Sequence, residues 1–129
     1  MLRGMATLNF SADDLRAAQA WYTDVLGIEP YFSRPGYIEY RLGDHEAELG
    51  IVDRKYLPPA PDGPAGAILY WHVDDLAGSL DRLLTLGAKE HDGIRERGHG
   101  FVTASVVDPF GNVLGIMSNP HYLEMLTAG

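Results

Sequence analysis

The sequence predicts an α+β fold built from two copies of one βαβββ unit, and three observations carry that prediction. A strand, the triplet Asp-Asp-Leu, an amphipathic helix and a Leu-Gly stop occur twice, with Asp13-Asp14-Leu15 and Asp74-Asp75-Leu76 lying 61 positions apart. Self-similarity at one fixed offset constrains both halves to the same supersecondary unit. In each copy the helix is followed by apolar runs bounded by turn residues, the sign of paired strands. Four strands and one helix cannot cover both faces of a sheet. Two βαβββ modules with their helices outside are therefore expected to form a curved mixed sheet around a shared cup-shaped cleft.

Thr7 to Ser11 reads as the first strand. Ser11-Ala12-Asp13-Asp14 has the form of a capping box with Asp in place of Glu, so the first helix is expected to start there. Leu15, Ala18, Tyr22 and Val25 recur at helical spacing with Trp21 and Leu26 beside them. Gly27 stops the helix, because glycine takes a left-handed cap without strain. Tyr37 to Leu42 and Glu46 to Val52 flank Gly43-Asp44-His45 as an antiparallel hairpin. These elements define a first module over about 6–52. Residues 57–66 hold four prolines and two glycines, the composition of a linker. The second module, about 67–117, repeats the first. Its strand runs from Ala67 to Val73, and its helix is capped by Asp75, striped by Leu76, Leu80, Leu83 and Leu84, and stopped by Gly87. Strands from Phe101 to Val107 and from Asn112 to Met117 then surround the turn Asp108-Pro109-Phe110-Gly111-Asn112. The tail, 118–129, adds a short helix from His121 to Leu126, and the whole of 1–129 is expected to be one domain.

At 129 residues and 14.2 kDa the chain is long enough to bury a core without staples. Cysteine is absent, which removes disulfides, thiolate metal sites and a cysteine nucleophile, and suits a reducing cytoplasm. Met1-Leu2-Arg3-Gly4-Met5 carries no apolar signal core, and no run approaches the roughly 20 apolar residues of a membrane helix. A soluble cytoplasmic protein without a membrane partner is expected. Eighteen Asp and Glu against ten Lys and Arg give a formal charge of -8 with no basic stripe, which argues against nucleic acid as a partner.

The strands with Asp-Asp-Leu, the helix carrying Trp21-Tyr22-Thr23-Asp24-Val25-Leu26-Gly27, and the terminal Asp108-Pro109-Phe110-Gly111-Asn112-Val113-Leu114-Gly115 together resemble the vicinal oxygen chelate superfamily. That superfamily includes glyoxalases, extradiol dioxygenases, fosfomycin-resistance enzymes and bleomycin-resistance proteins. The resemblance spans roughly residues 6–118. It implies paired modules around a cup, a homodimer, and a chemistry between metal-centred isomerisation and plain drug sequestration. In metal-dependent relatives, His, Gln or Glu from the first and last strands of the modules hold a divalent ion. Those positions fall near Thr7, Gly50, Leu69 and Gly115, and a slip of one residue either way adds only the Tyr70 phenol. No metal set results, and neither metal nor other cofactor is expected.

Strand parity nominates Thr7, Asn9 and Ser11, then Glu48, Gly50 and Val52, as one half of an apolar, aromatic lining. Leu69, Trp71 and Val73, with Val113, Gly115 and Met117, make the other half, and His72 falls on the opposite face. His45 reads as a turn residue; His91, His99 and His121 fall in predicted loop or tail. His99-Gly100-Phe101 occupies a stretch where relatives carry a loop that folds over the ligand. The ligand-binding candidates are thus Asn9, Glu48, Trp71, His99, Phe101 and Met117. Trp71 offers a stacking face, Met117 an adaptable one, and Asn9 and Glu48 polar anchors. An inward Glu48 binds a cationic or hydrogen-bonding guest, pairs with Arg41 or Arg54, or shows that the parity is wrong.

The leading expectation is a metal-free protein that sequesters an aromatic or peptidic small molecule. The acidic balance suits a cationic guest. The alternative is a lyase, isomerase or dioxygenase-like enzyme with an atypical site, either holding a metal by unusual ligands or using Glu48 and His99 as acid and base. A third reading is a structural or regulatory partner whose cup is filled by its own side chains.

Overall fold

The computed structural model describes residues 1, 3, 5–57 and 67–127, so the expected linker lies outside the described residues from position 58 onward. The chain divides into two compact units, Met1–Ala60 and Pro61–Gly129, one for each module.

Module one runs β1 (Thr7–Ala12), α1 (Leu15–Leu26), β2 (Phe32–Arg34), β3 (Tyr37–Leu42), β4 (Ala47–Asp53) and a 3-10 turn over Arg54–Tyr56. Module two runs β5 (Leu69–His72), α2 (Leu76–Thr85), β6 (Lys89–Gly98), β7 (Phe101–Val107), β8 (Val113–Ser118) and α3 (Pro120–Thr127). The sheets are ordered β1-β4-β3-β2 and β5-β8-β7-β6. In each, the first strand runs parallel to the last and every other pair is antiparallel. The same order and sense in both halves is what a duplicated βαβββ unit produces, and the α+β expectation holds. Among the described residues, hydrogen bonding joins the strands into two open four-stranded sheets and not one continuous sheet.

Local chemistry sets the helix ends. Asp14 caps α1, its carboxylate accepting from the Ala17 N–H at 3.1 Å, and Asp75 caps α2 through the Gly78 N–H at 3.0 Å. The expected capping box at Ser11 is corrected: Ser11 lies in β1, paired with Val52, and its hydroxyl accepts from Arg54 Nε at 3.4 Å. Gly27 ends α1 at φ 71° while its N–H donates to the Thr23 carbonyl.

In module one, Ala18 and Tyr22 of α1 are fully buried against β1 and β3. Tyr22 lies 5.9 Å from the Phe10 ring, and the buried Tyr40 hydroxyl donates to the Gln19 carbonyl at 3.0 Å. Phe10, Ile38, Tyr40, Leu49 and Ile51 therefore form the helix-covered face of the first sheet. Module two matches it with Leu80 and Leu83 of α2 over Ala104, Val106, Leu114 and Ile116. The Asp108 turn is a cage: its carboxylate, 3 % exposed as a residue, accepts from the Phe110 and Asn112 N–H groups and from Asn112 Nδ2, at 2.7 to 2.9 Å.

Two strands have no counterpart among the runs read from the sequence. β2 is three exposed residues, and β6, with Lys89, Glu90, Asp92, Arg95, Glu96 and Arg97, is a charged edge strand. Edge strands are held by ladder hydrogen bonds on one side and advertise little apolar pattern. His91, expected in a loop, lies on β6; His99 does sit in a turn, at φ 55° between Gly98 and Gly100.

Candidate functional site

Residues paired across a ladder share a face, so the register fixes which side chains point away from the helices. In module one that far face carries three rows: Thr7, Glu48 and Arg41; Asn9, Gly50, Glu39 and Phe32; Ser11, Val52, Tyr37 and Arg34. A cavity of about 690 Å³ opens on it. Thr7, Asn9, Tyr37, Glu39, Glu48 and Val52 make its floor, and Arg34, Pro35, Gly36 and Tyr56 make its rim.

Gly50 stands between Asn9 and Glu39 in the register and leaves room for their side chains. A Cβ there would collide with Asn9 Oδ1 and lie 2.6 Å from the Tyr37 hydroxyl. The Tyr37 hydroxyl donates to Glu39 Oε1 at 2.8 Å. Burial first, then that hydrogen bond and the charges of Glu39 and Glu48, push the Tyr37 phenol up to about 12, and Arg34 opposes them. Tyr37 is a hydrogen-bond donor at any physiological pH. Its folded value lies above the unfolded one, so its contribution to stability is complete below pH 10 and is lost as pH rises towards about 12. The absorbance titration of wild type minus that of Tyr37→Phe should centre clearly above 10; a difference centred at 10 would mean the phenol is not held.

Glu48 resolves one of the alternatives left open by the sequence. It meets Arg41 at 3.9 Å with its side chain 37 % exposed, a loose and hydrated pair, and Arg41 itself lies 3.8 Å over the Tyr31 ring. Asn9 and Glu48, named from sequence, thus share one pocket. Tyr37 and Glu39 belong to it as well and were missed.

Module two corrects the parity of β5. Trp71 pairs with Ile116 and Leu69 with Leu114, on the face covered by α2, whereas Tyr70 pairs with Gly115 and His72 with Met117 on the far face. Trp71 is half-buried with the core, and His72, not Trp71, stands beside Met117. Phe101 shares the far face with Met117, and His99 is exposed on the β6–β7 turn. His72 is hydrogen-bonded at both nitrogens: Nδ1 accepts from the Asn119 N–H at 3.1 Å, and Nε2 lies 3.3 Å from Asp74 Oδ1.

The four positions where metal-dependent relatives carry ligands do not fit a metal. Gly50 and Gly115 supply no donor, and the Tyr70 ring fills the space a Gly115 side chain would take, 2.5 Å from its Cβ position. Leu69 faces α2 and Thr7 offers one hydroxyl. Among the described residues no three His, Cys, Asp or Glu side chains gather to hold an ion.

The geometry has counterparts among known proteins. No relative among curated proteins matches. The bleomycin resistance determinant of transposon Tn5 is 25% identical with a TM-score of 0.65, covering 91% of this chain and 98% of its own. A lactoylglutathione lyase of Agrobacterium tumefaciens is 22% identical at 0.69, covering 92% and 95%. A fosfomycin resistance protein of Mesorhizobium loti is 13% identical at 0.69, covering 97% and 99%. The last two likenesses show the fold alone. The family model described as Glyoxalase/Bleomycin resistance protein/Dioxygenase superfamily matches residues 4–116, and the chain belongs to that superfamily.

Proposed function

We propose that this chain is a metal-independent small-molecule-binding protein, and that module one takes a cationic, hydrogen-bond-donating organic guest. The observation that carries this reading is the composition of the 690 Å³ pocket. Glu39, Glu48 and the Asn9 amide lie on its floor, and Tyr37 on the floor and Tyr56 at the rim supply aromatic surface. The lining joins two carboxylates and an amide to aromatic and apolar surface, with Arg34 as the cation at its rim, where the sequence pointed to an apolar, aromatic lining. The Glu48 carboxylate, partly exposed and loosely paired with Arg41, can exchange water for an ammonium group at small cost, and Glu39 keeps a second carboxylate oxygen beyond the one that Tyr37 bonds. The likeness to a protein named for bleomycin resistance supports sequestration. We read the working unit as a cytoplasmic homodimer, which light scattering of the same sample tests.

Tryptamine, a planar ring with an ammonium, is a suitable probe, with indole as the neutral control. Tryptamine should bind saturably by calorimetry and more weakly in high salt. Glu39→Gln and Glu48→Gln should each weaken it about tenfold, the loss of one charge-assisted contact. Equal binding of indole and tryptamine would overturn the assignment.

One observation favours a second reading, a metal-independent proton-transfer enzyme: the 2.8 Å bond from Tyr37 to Glu39 sets a permanent acid beside a carboxylate base inside a pocket. It is distinguished by turnover. In that case Glu39→Gln would retain a bound substrate but fail to exchange its acidic proton with solvent deuterium.

A further inference from the structure

The two modules end differently at equivalent places. In module one Ser11 pairs with Val52, and two residues beyond Val52 the Arg54 guanidinium donates to the Ser11 hydroxyl. In module two His72 pairs with Met117, and two residues beyond Met117 the Asn119 N–H donates to His72 Nδ1. From there the paths diverge. After β4 a single 3-10 turn carries Tyr56 to the rim of the open pocket. After β8 the chain folds back as α3 and lays the Tyr122 ring on the His72 imidazole, with centroids 5.0 Å apart and planes 14° from parallel.

We propose that the His72 face is a second, latent binding site for a small planar aromatic molecule bearing an N–H or O–H donor, held shut by Tyr122 of α3 as a displaceable plug. The ligand class follows from what the chain itself supplies there: one flat ring and one donated hydrogen bond. With Nε2 directed at Asp74, Nδ1 of His72 is the acceptor, and when Asn119 lifts away with α3 a donor on the guest takes the place of its N–H. With Tyr122 over it, the His72 side chain is 8 % exposed.

The plug is built to come away. Eight residues are too few to stay helical alone, so α3 persists only while its contacts pin it. Those contacts cluster at its start: the Asn119 side chain accepts the Tyr122 N–H at 3.0 Å and its amide reaches Met117 Sδ at 3.6 Å. Pro120 rests against Gly100, where a Cβ would lie 3.1 Å from the proline ring. Beyond Tyr122 the apolar residues Leu123, Met125 and Leu126 are exposed. A short segment held by these few contacts and otherwise solvated opens as a unit, Asn119 and Tyr122 with it, at the low end of a protein's local stability.

p-Cresol, the tyrosine side chain as a free molecule, is the probe, and cyclohexanol the non-planar control, both added to the full chain and followed by NMR. The His72 ring protons should shift saturably with p-cresol and not with cyclohexanol. Exchange of the Leu123 amide, bonded to the Asn119 carbonyl at 3.3 Å, should speed up as the plug is displaced. Tyr122→Leu should bind p-cresol at least about tenfold more tightly than wild type, because the competing ring is gone. The proposal fails if Leu123 exchange slows or stays constant while p-cresol binds, if cyclohexanol shifts His72 equally, or if Tyr122→Leu folds and gains no affinity. The wild-type exchange arm stands even if that variant does not fold.

Discussion

Replacing Trp71 with alanine is expected to lower the folding free energy by about 3 kcal/mol and to leave tryptamine affinity unchanged. Trp71 pairs with Ile116 on the sheet face that Leu80 and Leu83 cover, so its ring contributes packing there. It is half-buried, which places the loss at the low end of the range for truncating a buried aromatic. Denaturant unfolding and calorimetry on one preparation read both quantities. A variant as stable as wild type that no longer binds would return Trp71 to the ligand surface.

The repeat held more than parity alone extracted. At the offset of 61, Trp71 falls on Phe10, Tyr70 on Asn9 and His72 on Ser11. Phe10 is a core residue, so the duplication itself places Trp71 in the core. The strand gave the opposite reading because Ala-Ile-Leu-Tyr-Trp shows no alternation, so nothing in the run itself says which parity faces the helix. Asn9 and Glu48 were legible for the converse reason. Each is polar between apolar neighbours, Leu8 and Phe10 in one case, Ala47 and Leu49 in the other, and only the far face tolerates that alternation. Tyr37 and Glu39 alternate equally plainly with Ile38 and Tyr40. Two tyrosines three residues apart, one in the pocket and one in the core, hide that signal until pairing with β4 separates them. The charged edge strand β6 and the short β2 lack apolar pattern altogether, and only the fold's demand for a fourth strand in each sheet points to them.

Gly50→Ala is expected to weaken tryptamine by tenfold or more and to cost about 1–3 kcal/mol of stability, although it adds a single methyl group. No conformational demand on the backbone is involved. The added carbon would meet Asn9 Oδ1 and the Tyr37 ring and hydroxyl, the groups that shape the pocket floor. To make room, Tyr37 must swing off Glu39, breaking a 2.8 Å hydrogen bond, or Asn9 must turn its amide away. Either movement removes a donor or acceptor from where a guest would meet it. Gly27→Ala is the matched control. Gly27 sits at φ 71° with nothing within 4 Å of its Cβ position, so alanine there costs about 1 kcal/mol of backbone strain and touches no pocket group. Destabilisation in both variants, with affinity lost only in Gly50→Ala, locates the binding site on the far face of the first sheet. Gly50→Ala binding tryptamine as tightly as wild type would remove that face from consideration, because the added carbon meets Asn9 and Tyr37, two groups of the pocket floor.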